Sequence, residues 1–186
     1  VAKDTTRYSS SGMQLYRAHG VETFTIGSSI YAIVTSQGGS TSGVQILDVS
    51  DPTNIVAKDA ANDLEDGFEE LLWAHDVDIF TSGASTYAIV TASADNGVQV
   101  IDVSDPTDIV ALDDKDAKDD SADGFVNLWG ARGVDTFTIG ASIYAIVASQ
   151  QSDGVQIIKL LTTGEGVGVG KTVTQSLTET ISLEDK

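Results

Sequence analysis

Along this chain apolar and polar positions change in runs of a few residues, without the three-and-four spacing of an amphipathic helix. The runs are rich in β-branched and aromatic residues. They end in turns built on Gly, Ser, Asp and Asn, which predicts short strands throughout. "GVETF", "DVDIF" and "GVDTF" mix apolar and polar positions, whereas "YAIV" at 31–34, 87–90 and 144–147 is apolar at every position. A sheet with one wet face alternates strictly, so "YAIV" predicts sheets covered on both faces.

The same pieces return in the same order. Segments 18–59, 74–113 and 131–160 are three copies of one unit, aligned on Tyr31, Tyr87 and Tyr144 and on Gly-Val-Gln triplets beginning at Gly43, Gly97 and Gly154. Each reads as four strands. The third, "GVQILDV" in the first copy, stops at "SDPT", where Pro52 and Pro106 cannot donate to a ladder. The fourth is "NIVAKD" or "DIVALD". A period of about fifty residues predicts an all-β protein of β-propeller-type blades, each with four antiparallel strands and three per chain. The blades fall at about 5–59, 60–113 and 114–161, with strand 1–4 added to the last. Residues 162–186 lie outside them as a Ser/Thr/Gly-rich linker or docking strand.

"YAIVTS…GVQILDVSDPTNIVA" resembles the LVIVD-repeat family of β-propellers, whose repeat carries a Gly-Leu/Val-Gln strand and then Asp-Val-Ser-Asp-Pro. Residues 48–52 and 102–106 carry that last motif in full, while "KLLTTG" replaces it at 159–164. The likeness covers about residues 1–160. It implies the propeller fold and a scaffold with many uses, not one activity.

The third copy has no fourth strand of its own, and Val1, Ala2, Lys3 and Asp4 repeat Val56–Asp59. The expectation is that this segment completes the third blade, of the same chain or of another, and covers an open sheet edge. Propellers have about four to eight blades, so three point to two chains closing a ring, to a head-to-tail fibre, or to part of a longer propeller.

Charge narrows the partners. The chain has 28 acidic and 10 basic residues, a net charge of −18, which repels nucleic acid and anionic membrane. It has no cysteine, no apolar run near the ~18 residues that span a bilayer, and no leader or initiating Met, as expected of a processed chain or a piece of a longer one. Much of the acid sits in linkers before the second and third units. Asp119, Ser121 and Asp123, followed by Gly124, resemble the first half of a Ca²⁺ loop, but Gly130 stands where the distal Glu belongs. Ca²⁺ is the cofactor such a cluster suits. The linkers also repeat apolar positions, Met13, Phe68 and Phe125, then Leu15, Leu71 and Leu128, then Tyr16, Trp73 and Trp129. These read as a lid packed on the blade ends, with a short helical turn at 68–73. An aromatic ligand platform is the competing idea.

His19, His75 and Arg132 hold one place in the three copies, at the start of the strand that lines a propeller channel. They are the candidate ligand-binding residues, against a reading in which they hydrogen-bond neighbouring blades. Gln45, Gln99 and Gln156 are expected to satisfy backbone between blades, and Asp48 and Asp102 to cap turns. "GEGVGVGKT" misses the spacing of a phosphate-binding loop, with Glu165 where its first Gly belongs. The expected function is a non-enzymatic, extracellular or cell-surface module that associates with itself. The alternative is a propeller that binds a glycan, peptide or Ca²⁺. A Ca²⁺-dependent propeller hydrolase ranks third.

Overall fold

The computed structural model describes residues 3–6, 13–38, 41–112, 117–118 and 125–162. Its strands form three antiparallel meanders, with no α-helix among the described residues. Blade 1 comprises β1 (Ala18–Ile26), β2 (Ser29–Ser36), β3 (Gly43–Asp48) and β4 (Val56–Asn62) in that order. Blade 2 comprises β5 (Ala74–Ser82), β6 (Ser85–Ala92), β7 (Gly97–Asp102) and β8 (Val110–Ala111). A further short strand, β9 (Ala117–Lys118), also pairs with β7. Blade 3 comprises β10 (Ala131–Ile139), β11 (Ser142–Ser149) and β12 (Gly154–Thr162).

The all-β, propeller-type architecture with three blades is therefore the one the repeats predict. The register repeats too: Phe24 faces Tyr31, Phe80 faces Tyr87 and Phe137 faces Tyr144. Each pair stacks with ring centroids 5.3–5.6 Å apart, and such aromatic pairs add to area burial.

The unbroken apolar strand has a direct cause. In β6, Ala88 and Val90 enter the core shared with blade 1, while Tyr87 and Ile89 enter the core shared with blade 3. Both faces of that sheet are dry. The linkers seal the two cores: Phe68 and Leu71 close the first, Phe125 and Leu128 the second. They do so in turns and a lone Glu65–Phe68 bridge, not in the expected helical turn at 68–73.

Hydrogen bonds fix neighbouring blades. Thr35 Oγ1 accepts from Gly20 N (2.8 Å) in its own blade and donates to His75 O (2.9 Å) in the next. Thr91 Oγ1 accepts from Asp76 N (3.0 Å) and donates to Arg132 O (2.8 Å). Both hydroxyls are buried, so Thr91→Val leaves a backbone N–H and C=O unpaired. It is expected to lower stability by about 1–3 kcal/mol in urea denaturation. Further out, Asp59 Oδ2 accepts from Ile109 N at 2.8 Å and links blade 1 to blade 2.

Two expectations need correction. The repeated glutamines join each linker to its own blade, not blade to blade. Gln45 accepts from Gln14 N and donates to Asp59 O, and Gln99 accepts from Glu69 N and Glu70 N. Gln156 accepts from Val126 N. Among the described residues, the amino-terminal segment does not pair with blade 3 of its own chain. Lys3 and Asp4 lie outside any strand, and Asp4 Oδ2 accepts from Ile55 N (2.8 Å) beside blade 1. Val1 and Ala2 lie outside the described residues. Asp48 and Asp102 cap their turns as expected, accepting from Ser50 N (3.0 Å) and Ser104 N (2.8 Å).

Candidate functional site

The inner strands β1, β5 and β10 lie side by side, and each is entered through the same turn. Ala18 N, Ala74 N and Ala131 N donate to Leu15 O, Leu71 O and Leu128 O. The residue before each alanine is left-handed: Arg17 (φ 54°), Trp73 (φ 58°) and Gly130 (φ 68°). Glycine takes this conformation freely, while a side chain there costs roughly 1 kcal/mol. The turn buries Leu71 and Leu128, leaves Leu15 half-buried, and throws the following positions outward. Tyr16, Trp73 and Trp129 are consequently 45%, 52% and 54% exposed, so they leave the expected lid and form an aromatic rim. Arg17 lies over the Tyr16 ring at 5.8 Å.

His19 and His75 follow directly after these turns, at irregularities in the pairing of β1 and β5. Their ring centroids are 3.7 Å apart, tilted by 48°. Gly20 permits the approach, because a Cβ there would lie 2.7 Å from His75 O and 2.9 Å from Asp76 Cα. The interblade hydrogen bonds use the backbone oxygens of His75 and Arg132, and the charges of His19 and Arg132 both act on the His75 side chain.

Burial first, then the neighbouring His19 and Arg132, push the His75 imidazole down to about 4, although Asp76 opposes the shift. His75 is therefore neutral at neutral pH, with one ring nitrogen able to donate and the other to accept. The unfolded chain takes up this proton near 6.5 and the folded chain only near 4, so acidification across that window destabilises the fold. The ring is partly open, and solvent screening limits the effect to about 1 kcal/mol. His75→Ala should flatten that part of the pH–stability profile.

Carboxylates line the same strands. Asp76 Oδ2 accepts from Val134 N (3.1 Å) and Asp78 Oδ2 from Thr136 N (2.7 Å), tying β5 to β10. Glu22 and Asp135 occupy the positions equivalent to Asp78 on β1 and β10.

Sequence reasoning missed a second acidic feature. Asp63 Oδ1 accepts from Leu71 N (3.1 Å) and Asp95 Oδ2 from Leu72 N (2.7 Å), so two carboxyls hold the turn carrying Trp73. Burial, aided by Asp63, raises the Asp95 carboxyl to about 6. The unfolded chain releases this proton near 3.8 and the folded chain only near 6, so stability falls as pH rises through that window. Asp95→Asn keeps an acceptor for Leu72 N and removes the like charge. It should raise stability at pH 7 by about 1 kcal/mol, since screening reduces the full effect.

Asp119, Ser121 and Asp123 lie outside the described residues. Among the described residues no cluster of three or more His, Asp or Glu side chains is arranged to hold a metal ion. A cavity of about 330 Å³ opens between β4 and β8, away from the rim, lined by Asp59, Glu65, Phe68, Asp108 and Ile109 among others.

Comparison with known proteins gives fold neighbours. Two structures of single-residue variants of exo-beta-1,3-galactanase from Phanerochaete chrysosporium, both with beta-1,3-galactotriose, match at TM-score 0.52. Their sequence identities are 14% and 15%. Each match covers 77% of this chain and 35% of the galactanase chain, so the protein spans about a third of its neighbour's length. No family model and no curated protein matches the sequence. These two neighbours count against the expectation of a protein without catalysis, because both are structures of an exo-beta-1,3-galactanase.

Proposed function

We propose that the chain is a glycan-recognising propeller module. Its binding surface is the rim of Tyr16, Trp73 and Trp129 together with His19, His75 and Arg132. The observation that carries this reading is the aromatic rim itself: three open aromatic side chains enter neighbouring inner strands beside a close histidine pair and an arginine. Aromatic faces offer a flat apolar surface to the C–H face of a pyranose, and imidazole and guanidinium groups offer donors to its hydroxyls. The galactotriose in the neighbouring structures supports a β-1,3-linked galactose oligosaccharide as the first ligand to try. The proposal extends to an extracellular setting and to reading the motifs at 48–52 and 102–106 as LVIVD-type repeats.

A glycan array tests it. Binding to one or a few glycans is expected, and a His19→Ala, His75→Ala double variant should lose it. An array without signal, or a signal the variant retains, contradicts the reading.

The neighbours also favour a second reading, in which the bound glycan is cleaved. Glycoside hydrolysis uses two carboxyl groups flanking the bond, and Glu22, Asp78 and Asp135 recur at one register of the inner strands. New reducing ends from β-1,3-galactan, lost in Glu22→Gln or Asp135→Asn, would support it. Binding without such release would leave recognition alone.

A further inference from the structure

The amino-terminal segment has a definite place, and that place identifies a partner. Asp59 ends the "VAKD" of blade 1, and its Oδ2 accepts from Ile109 N at 2.8 Å, just before the fourth strand of blade 2. Asp4 ends the "VAKD" at 1–4, and its Oδ2 accepts from Ile55 N at 2.8 Å, just before the fourth strand of blade 1. Atom, distance and repeat position agree. Asp4 therefore sits where the fourth strand of a blade preceding blade 1 would end, and that blade's other three strands are not among the described residues.

Blade 3 has the complementary gap. Among the described residues β12 pairs only with β11. In blade 1, Gln45 Nε2 donates to Asp59 O of the fourth strand at 2.7 Å and to Ile46 O at 3.3 Å. In blade 3, Gln156 Nε2 reaches Ile157 O at the same 3.3 Å. The described chain offers Gln156, 6% exposed, no fourth-strand carbonyl. By repeat register the missing acceptor is the carbonyl of an Asp equivalent to Asp59, which is Asp4.

We infer that the outer edge of β12 takes residues 1–4 of a second copy of this chain as its fourth strand, seating blade 3 of one copy against blade 1 of the next. The inference is independent of glycan binding. The contact is head-to-tail, so it builds a ring if the rotation closes and a filament if it does not. One substitution weakens it. Lys58 meets Asp48 at 3.3 Å in blade 1, but Lys159 stands in the place of Asp48, so Lys3 of the incoming copy faces a like charge.

That mismatch supplies the test. Sedimentation velocity of the whole chain over a wide concentration range should show reversible association. A chain lacking residues 1–4 should associate at least about tenfold more weakly. Lys159→Asp should tighten association a few-fold, the range of an exposed ion pair, which a purely structural role for Lys159 would not do. The register also places Val1 opposite Lys159, as Val56 stands opposite Asp48. The protein has no cysteine, so a Val1→Cys, Lys159→Cys variant should oxidise to species of two or more chains. Single-chain mass for both the wild type and Lys159→Asp would overturn the inference. So would association that survives removal of residues 1–4, or a disulfide formed only within one chain.

Discussion

Leu71→Ala is expected to lower the free energy of unfolding by about 3–4 kcal/mol, measured by urea denaturation. Leu71 lies in a linker, yet it is fully buried in the core between blades 1 and 2, among Phe24, Ile33, Val77 and Ile101. The turn around it is pinned by Asp63 and closed by Ala74 N, so the site cannot collapse around an alanine. Both the lost transfer energy and the cavity then count in full. Leu64→Ala is the control. Leu64, also in that linker, is 80% exposed, and its truncation should change stability by less than about 0.5 kcal/mol. Equal effects of the two changes would show that the linker does not seal the core.

The second large effect concerns binding. A Trp73→Ala, Trp129→Ala double variant should bind the preferred glycan about a hundredfold more weakly, close to 2.7 kcal/mol, in a calorimetric titration. Each ring is a little over half exposed, so removal should cost little stability while it deletes the apolar platform. The single variants should each lose about tenfold. Undiminished binding with unchanged stability would move the site away from the rim.

Much of this fold is legible in the sequence because its causes are local. "YAIV" lacks alternation, and the two dry faces of β6 are the reason. The Gly-Val-Gln triplets begin a strand in every blade, and Asp48 and Asp102 cap the turns that end two of them. What the sequence hides comes from assembly in space. An apolar period cannot separate a lid from a rim. Leu71 and Trp73 part company because a left-handed turn at Trp73 points one residue inward and leaves the other in solvent. Asp63 and Asp95 meet only when blades 1 and 2 pack. The likeness of 1–4 to 56–59 is plain in the sequence, but the Asp4–Ile55 hydrogen bond is needed to place Asp4 beside blade 1.

A carbohydrate surface at the rim around Trp73 and Trp129 would show in tryptophan emission. The chain contains two tryptophans, and both lie on that rim, so selectively excited tryptophan emission reports on the site. Titration with β-1,3-galactotriose should shift the emission to the blue and protect it from acrylamide, saturably, while an unrelated oligosaccharide should leave it unchanged. Emission and quenching indifferent to β-1,3-galactotriose and to every other glycan on a broad panel would contradict the account.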